Sequence, residues 1–201
     1  MMPTKATLIS LSSVGVGGSI AGGAYLLHTR GEKESLHSLV SKEKDRVILD
    51  YEKHDKVWGA LVTEYSSSNS TTIEAKGNKP TKEEIIKFCR DHESSTDESL
   101  FEAYKLWCSR SNLQGKINSS GTKKWLTSNQ SKDWEANKNA YNTNNSENLL
   151  IIKNGESTGI QKNSIKEQDL MEWCGNASSM AFVNEQDDDY KRADKFCTVS
   201  K

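Results

Sequence analysis

The sequence predicts an all-α protein, with an N-terminal transmembrane helix followed by a helical ectodomain built as two degenerate three-helix repeats. Three observations predict it. Residues 6–27 form an uncharged apolar stretch between Lys5 and Arg30, the apolar residues beyond it recur at three- and four-residue steps, and the pattern of one half returns in the other.

Residues 1–5 make a short basic start, and residues 6–27 follow as the membrane anchor or signal segment. As a helix, 22 residues reach roughly 33 Å, enough for a hydrocarbon core of about 30 Å. The strongly apolar members are Leu8, Ile9, Leu11, Val14, Val16, Ile20, Leu26 and Leu27, and the rest are mainly Gly, Ser and Ala. A cleaved signal peptide is the alternative, because Ser19-Ile20-Ala21 offers small residues for cleavage before Gly22. With the basic N-terminus inside, both readings put residues 31–201 outside the cytoplasm. Gly18 and Gly22 have the small-xxx-small spacing that lets two membrane helices approach, and are the candidate membrane-helix packing residues. The same glycines do not make a dinucleotide fingerprint: Ile20 stands where the third glycine belongs, and a charged run follows instead of a second strand.

The first helical unit covers 34–112. From Glu34 to Tyr65, residues such as Leu36, Val40, Val47, Tyr51, Trp58, Leu61 and Tyr65 keep a helical period, which predicts one amphipathic helix. A Ser/Thr/Asn tract ends it. Thr81-Lys-Glu-Glu84 has capping-box spacing and opens a second helix through Cys89; Ser95-Thr-Asp-Glu98 opens a third through Cys108. Asn112 to Gly121 is read as a loop.

The second unit covers 121–198. Trp134 and Tyr141 repeat the spacing of Trp58 and Tyr65, and Lys166 to Cys174 lies over Thr81 to Cys89 without a gap. Tyr190 to Cys197 resembles Phe101 to Cys108 more loosely. Asn137 and Lys138 replace Leu61 and Val62, so the second copy has a narrower apolar face. Asn148 to Lys153 reads as a short strand or a buried turn of helix.

Composition limits the function classes. Lys and Arg number 27 against 28 Asp and Glu, for a net charge of −1, which leaves no electrostatic footprint for nucleic acid. The hydrophobic share is 34%, part of it in the N-terminal stretch, so the ectodomain must build its core from little apolar material. Staples would help it.

The four cysteines each follow an aromatic residue: Cys89, Cys108, Cys174 and Cys197. In a domain outside the cytoplasm they read as candidate disulfides, against the alternative of four buried thiols. The connectivity stays open. A tight antiparallel hairpin would separate Cys89 from Cys108 by about 15 Å, so pairing within a copy needs the helices to cross or the linker to fold back. Pairing across copies, such as Cys89 with Cys174, is the rival. No CxxC or His-rich spacing nominates a metal, and no cofactor motif is present.

No catalytic motif is found either. The histidines are His28, His37, His54 and His92, without a nominated nucleophile, and Asp187-Asp-Asp189 lacks the glycine and distal glutamate of a calcium loop. The five Asn-x-Ser/Thr sequons would matter only in a eukaryotic secretory pathway. The basic start, the Gly/Ser-rich apolar segment and the polar ectodomain with sparse Trp-Cys and Phe-Cys pairs resemble paralogous families of small N-terminally anchored proteins of haemotropic mycoplasmas. The resemblance implies a single-pass protein of the cell membrane with the bulk of the chain extracellular, an antigenic or host-interaction module with a host or surface protein as partner. It carries no catalytic residue onto this chain. A self-associating scaffold, forming homo-oligomers, is the alternative function, and a hydrolase is the third.

Overall fold

A computed structural model describes residues 33–201, apart from 69–72, 74–76, 78, 144–148 and 154–155. The described chain runs through α1 (Leu36–Ser41), β1 (Arg46–Ile48), α2 (Asp55–Ser67), α3 (Lys82–His92), α4 (Phe101–Cys108) and β2 (Ser109–Ser111). It then continues through α5 (Leu113–Ser119), β3 (Lys123–Trp125), α6 (Ser131–Thr143), α7 (Glu167–Ala177), α8 (Asp188–Phe196) and β4 (Thr198–Ser200). The order α-β-α-α-α-β is followed twice.

Two features of the expected fold are corrected. The protein is not all-α with three helices per copy: among the described residues each copy has four α-helices and closes with a two-stranded antiparallel sheet, β1 with β2 and β3 with β4. Nor is any helix among the described residues long and apolar enough to cross a membrane. The stretch 6–27, with Gly18 and Gly22, lies outside the described residues.

The local chemistry explains the first correction. The helical period from Glu34 to Tyr65 is interrupted because Asp50 accepts hydrogen bonds from the Glu52 and Lys53 amides through its own carboxylate. His54 Nδ1 accepts from the Asp50 amide, which holds the same turn. The chain therefore leaves α1, runs as a strand and restarts as α2. Within Asn112 to Gly121, expected as a loop, Leu113–Ser119 is a helix, because the Asn112 side chain caps it by accepting from the Gly115 amide at 2.7 Å. Ser35 caps α1 at the corresponding point. The third helix of the first copy starts later than its polar residues suggest: Asp97 caps a 3-10 turn over Glu98–Leu100, and α4 follows it.

The strands pair the start of each copy with its end. Ile48 lies opposite Ser109, and Trp125 opposite Thr198. The ladders extend by one further bond each, from Leu49 N to Cys108 O and from Leu126 N to Cys197 O. Inside each closed copy sits its own apolar core, with Leu36, Trp58, Leu61, Ile85 and Tyr104 in the first and Leu113, Ile117, Tyr141, Leu170 and Phe196 in the second. The tryptophan of each second helix is buried and donates its indole N–H backwards, Trp58 to Asp50 O and Trp134 to Thr127 O. The tyrosine seven residues on receives a backbone amide on its hydroxyl, from Ile73 at Tyr65 and from Ile151 at Tyr141. Ile151 is buried, and Ile152 forms an isolated bridge with Gly159, so the described end of the stretch read as a strand or a turn of helix is extended at Ile152, while Asn148 lies outside the described residues. Asn137 is polar for a reason: its amide donates to Phe196 O and Thr198 O, satisfying two carbonyls at the end of the second copy.

No linker separates the copies. Asn112 both extends the ladder of the first, through its amide to Asp45 O at 2.8 Å, and caps the first helix of the second. Gly115, one turn into α5, lies so close to Asp45 that an added Cβ would meet Asp45 Cβ at 2.7 Å and its carbonyl oxygen at 2.8 Å. Gly115→Ala should therefore cost about 1–3 kcal/mol in urea unfolding, because a backbone oxygen cannot move aside as a side chain can. A neutral substitution would mean that the junction is looser than this contact.

Alkaline pH offers a second check. Burial, reinforced by the Glu93 carboxylate, pushes the Tyr104 phenol from 10.0 up to about 12. Below pH 10 the phenol is protonated in both folded and unfolded chains, so its contribution is fully present. Between pH 10 and about 12 only the unfolded chain ionises, and stability falls as pH rises. The urea midpoint should drop through this window, and Tyr104→Phe should make the drop shallower.

Candidate functional site

The structure brings together a set of residues that the sequence does not single out, at the outer edges of the closing strands. In the first copy this edge is occupied. The connection between α7 and α8 crosses it, with Phe182 N donating to Ser111 O at 2.9 Å and Asn112 bridging Ala181. Arg110, on β2, fixes that connection with all parts of its fork. Its Nε donates to Phe182 O and its Nη2 to Val183 O, both at 3.0 Å, while its two terminal nitrogens also reach the Glu64 carboxylate on α2. Phe182 itself lies under two cations, the Arg110 guanidinium at 5.3 Å and the Lys116 ammonium at 4.8 Å. Each bond satisfies a carbonyl or a charge that would otherwise be stranded at a half-buried seam.

In the second copy the counterpart edge borders an open cleft of about 640 Å³. Its lining includes Leu149, Tyr190, Lys191, Lys195, Val199 and Ser200. The bonds from Lys201 N to Thr122 O and from Leu126 N to Cys197 O set the ladder's alternation, which turns the Ser200 carbonyl away from β3. Ser111 O is turned outward in the same way in the first copy. Where Arg110 stands in β2, β4 has Val199, so this cleft has an apolar floor and lysines on its rim. Burial, with the charges of Asp194 and Glu185 adding to it, raises the Tyr190 phenol above its ordinary value. Lys123 donates to Asp194 through both its carboxylate at 2.7 Å and its carbonyl, an arrangement that mirrors Arg46 on the Lys105 carbonyl.

The predicted site residues fall elsewhere. The cysteines pair within each copy, Cys89 with Cys108 and Cys174 with Cys197, at Cα separations of 5.3 and 5.5 Å. The obstacle expected from a tight hairpin is absent because the α3–α4 connection folds back, held by bonds from Leu36 N to Ser95 O and His37 N to Glu93 O. The second copy repeats this with Leu113 N to Met180 O and Gln114 N to Ser178 O. The ends of the last two helices therefore meet in both copies. The membrane-helix candidates Gly18 and Gly22 lie outside the described residues.

His54 serves a turn and His92 stacks on Phe88, and among the described residues no group of three His, Cys, Asp or Glu side chains converges as a metal site. Asp187 caps α8, while Asp189 pairs with Arg192, so the acidic triplet starts a helix. One sequence signal for the seam did exist. Arginine is scarce beside lysine in this chain, and Arg110 spends one planar fork on two carbonyls and a carboxylate at once, a geometry lysine does not offer.

No protein-family model, curated protein or solved structure matches this chain.

The disulfides close loops of 19 and 23 residues in sequence separation, and each should stabilise the fold by about 3 kcal/mol. Paired replacement of Cys174 and Cys197 by serine should lower the urea unfolding free energy by about that amount. An unchanged midpoint would mean that the pair contributes no constraint.

Proposed function

We propose that residues 33–201 are a disulfide-stapled recognition module that works outside the cytoplasm, at the surface of the cell. The observation that carries this reading is the recurrence of a cysteine pair at the same place in two otherwise diverged copies. A bond of this kind persists in an oxidising compartment and is reduced in an ordinary cytosol. The apolar stretch of residues 6–27 supports the same address, as a segment that directs the chain to the membrane. The ligand in this reading is a host or surface protein, and the module is antigenic, as in the anchored families of haemotropic mycoplasmas that the sequence resembles. The polar tracts at 66–79 and 142–148, which begin in the last residues of α2 and α6, are the positions for such contacts, and most of both lies outside the described residues.

A second reading is a scaffold that associates with itself, and the open edge of β4 favours it. Both readings need the chain outside the cell.

Labelling with a membrane-impermeant amine reagent tests that requirement. Exposed lysines such as Lys53, Lys124 and Lys132 should react in intact cells, read peptide by peptide, as strongly as after lysis. Reaction only after lysis would place the domain inside and end this reading.

A further inference from the structure

The edge of β2 is covered by an extended segment of its own chain, which shows what the edge of β4 is shaped to receive. Over β2, Phe182 N donates to Ser111 O, while Ala181 and Val183 on either side of it pack against the apolar cluster of the first copy. One residue bonded to the edge, with its two neighbours pressed onto the core, is how a strand joins a sheet. With Tyr190–Cys197 laid over Phe101–Cys108, Ser200 takes the place of Ser111, Val199 that of Arg110 and Lys191 that of Glu102. The Ser200 carbonyl faces outward beside the cleft of about 640 Å³, and among the described residues no backbone amide donates to it.

The two edges differ in charge. The floor of the β4 cleft is apolar, formed by Leu149, Tyr190 and Val199 of the second core. Lys191 stands on its rim, and the exposed Lys124 lies directly opposite Val199 on the ladder, so those two side chains share a face. Among the described residues neither lysine has a carboxylate partner, whereas the cleft's own carboxylates, Glu185 and Asp194, are held by Lys116 and Lys123. At β2 the cross-strand pair is Val47 with Arg110, and Arg110 is already spent on the insert's carbonyls and on Glu64. Two uncommitted cations beside an apolar floor select carboxylates on the segment that covers it.

We propose that the β4 edge binds an extended acidic segment of a partner protein, added antiparallel as the Ala181–Val183 connection is added to β2. One backbone N–H of the segment donates to the Ser200 carbonyl. The apolar side chains on either side of that N–H sit over Leu149, Tyr190 and Val199, and flanking carboxylates meet Lys124 and Lys191. The proposal rests on the reading of this domain as a recognition module and names the chemistry of its ligand.

The test titrates the oxidised full-length chain, isotope-labelled for amide NMR, with the peptide acetyl-Glu-Ala-Phe-Val-Asp-Glu-amide, which sets the Ala-Phe-Val of the internal insert between carboxylates. Saturable shifts are expected at the Lys201 amide, which follows the Ser200 carbonyl, and at Tyr190 and Lys191. The same peptide N-methylated at its phenylalanine, with no N–H to donate, should bind about tenfold more weakly, and so should a version with lysines in place of its acids. Lys191→Glu should weaken the acidic peptide by about tenfold and strengthen the lysine one. Absence of a shift at Lys201, equal binding of the N-methylated peptide, or equal binding of the lysine version overturns the proposal. Shifts at Lys201 that grow with protein concentration alone overturn it too, in favour of a second copy as the occupant. The peptide series on the unaltered chain decides the matter even where Lys191→Glu fails to fold. Surface labelling answers separately: a chain labelled in intact cells that ignores the peptides loses this ligand class and keeps the display reading.

Discussion

The rest of the structure depends on the return of each copy's last strand to its first. A pair of three-residue strands is too short to hold itself together in water, and the loop it closes spans three α-helices. Closure holds because three kinds of contact converge on it. The ladder extends through Leu49 and Leu126, the disulfide ties the two preceding helices together, and the buried tyrosine and tryptophan of the second helix lock the intervening chain. With a hydrophobic share of 34%, the chain has little apolar surface to spare, and covalent closure supplies what burial alone would not.

The seam between copies follows a different logic. It is built from hydrogen bonds and cations on a ring, not from a shared core: the apolar residues divide into two clusters, and only a few, such as Ala181 and Val183, pack across. Arg110 carries most of that work, because one planar fork satisfies two carbonyls and a carboxylate at once. The two copies diverged most where their roles differ. Arg110 at the joined edge corresponds to Val199 at the open one, and Lys105, paired with Glu43, corresponds to Asp194, paired with Lys123. What the two places share is the bond to a helix carbonyl, from Arg46 to Lys105 O and from Lys123 to Asp194 O.

Much of the core was legible from period and spacing. Trp58, Tyr65, Trp134, Tyr141 and the residues flanking each cysteine announce themselves because large apolar side chains at helical steps have few other uses, and all of these aromatics are buried. The strands were not legible, for a physical reason. Three residues are too few for a period of two to show, and Arg46-Val47-Ile48 continues the apolar spacing of the helix before it. Helix α5 was hidden by its own cap: Asn, Gly and Ser suggest a loop by composition, and only the bond from Gly115 N to Asn112 reveals the start of a helix. The candidate edge was least visible of all, because it is defined by correspondence between two distant segments and by no local motif. The cysteines were identified as bridges, but their partners depended on a connection whose fold the sequence leaves open.

Asn112 is shared, the final rung of one copy and the first cap of the next. With no spacer to swivel about, the backbone features that the copies share, their strand pairs and their cysteine bonds, are joined through a single residue. The duplicated domain is therefore a ruler. Corresponding points of the two copies, such as the Cys89–Cys108 and Cys174–Cys197 bonds, stand at a spacing set by the backbone itself, with no joint between them to vary it.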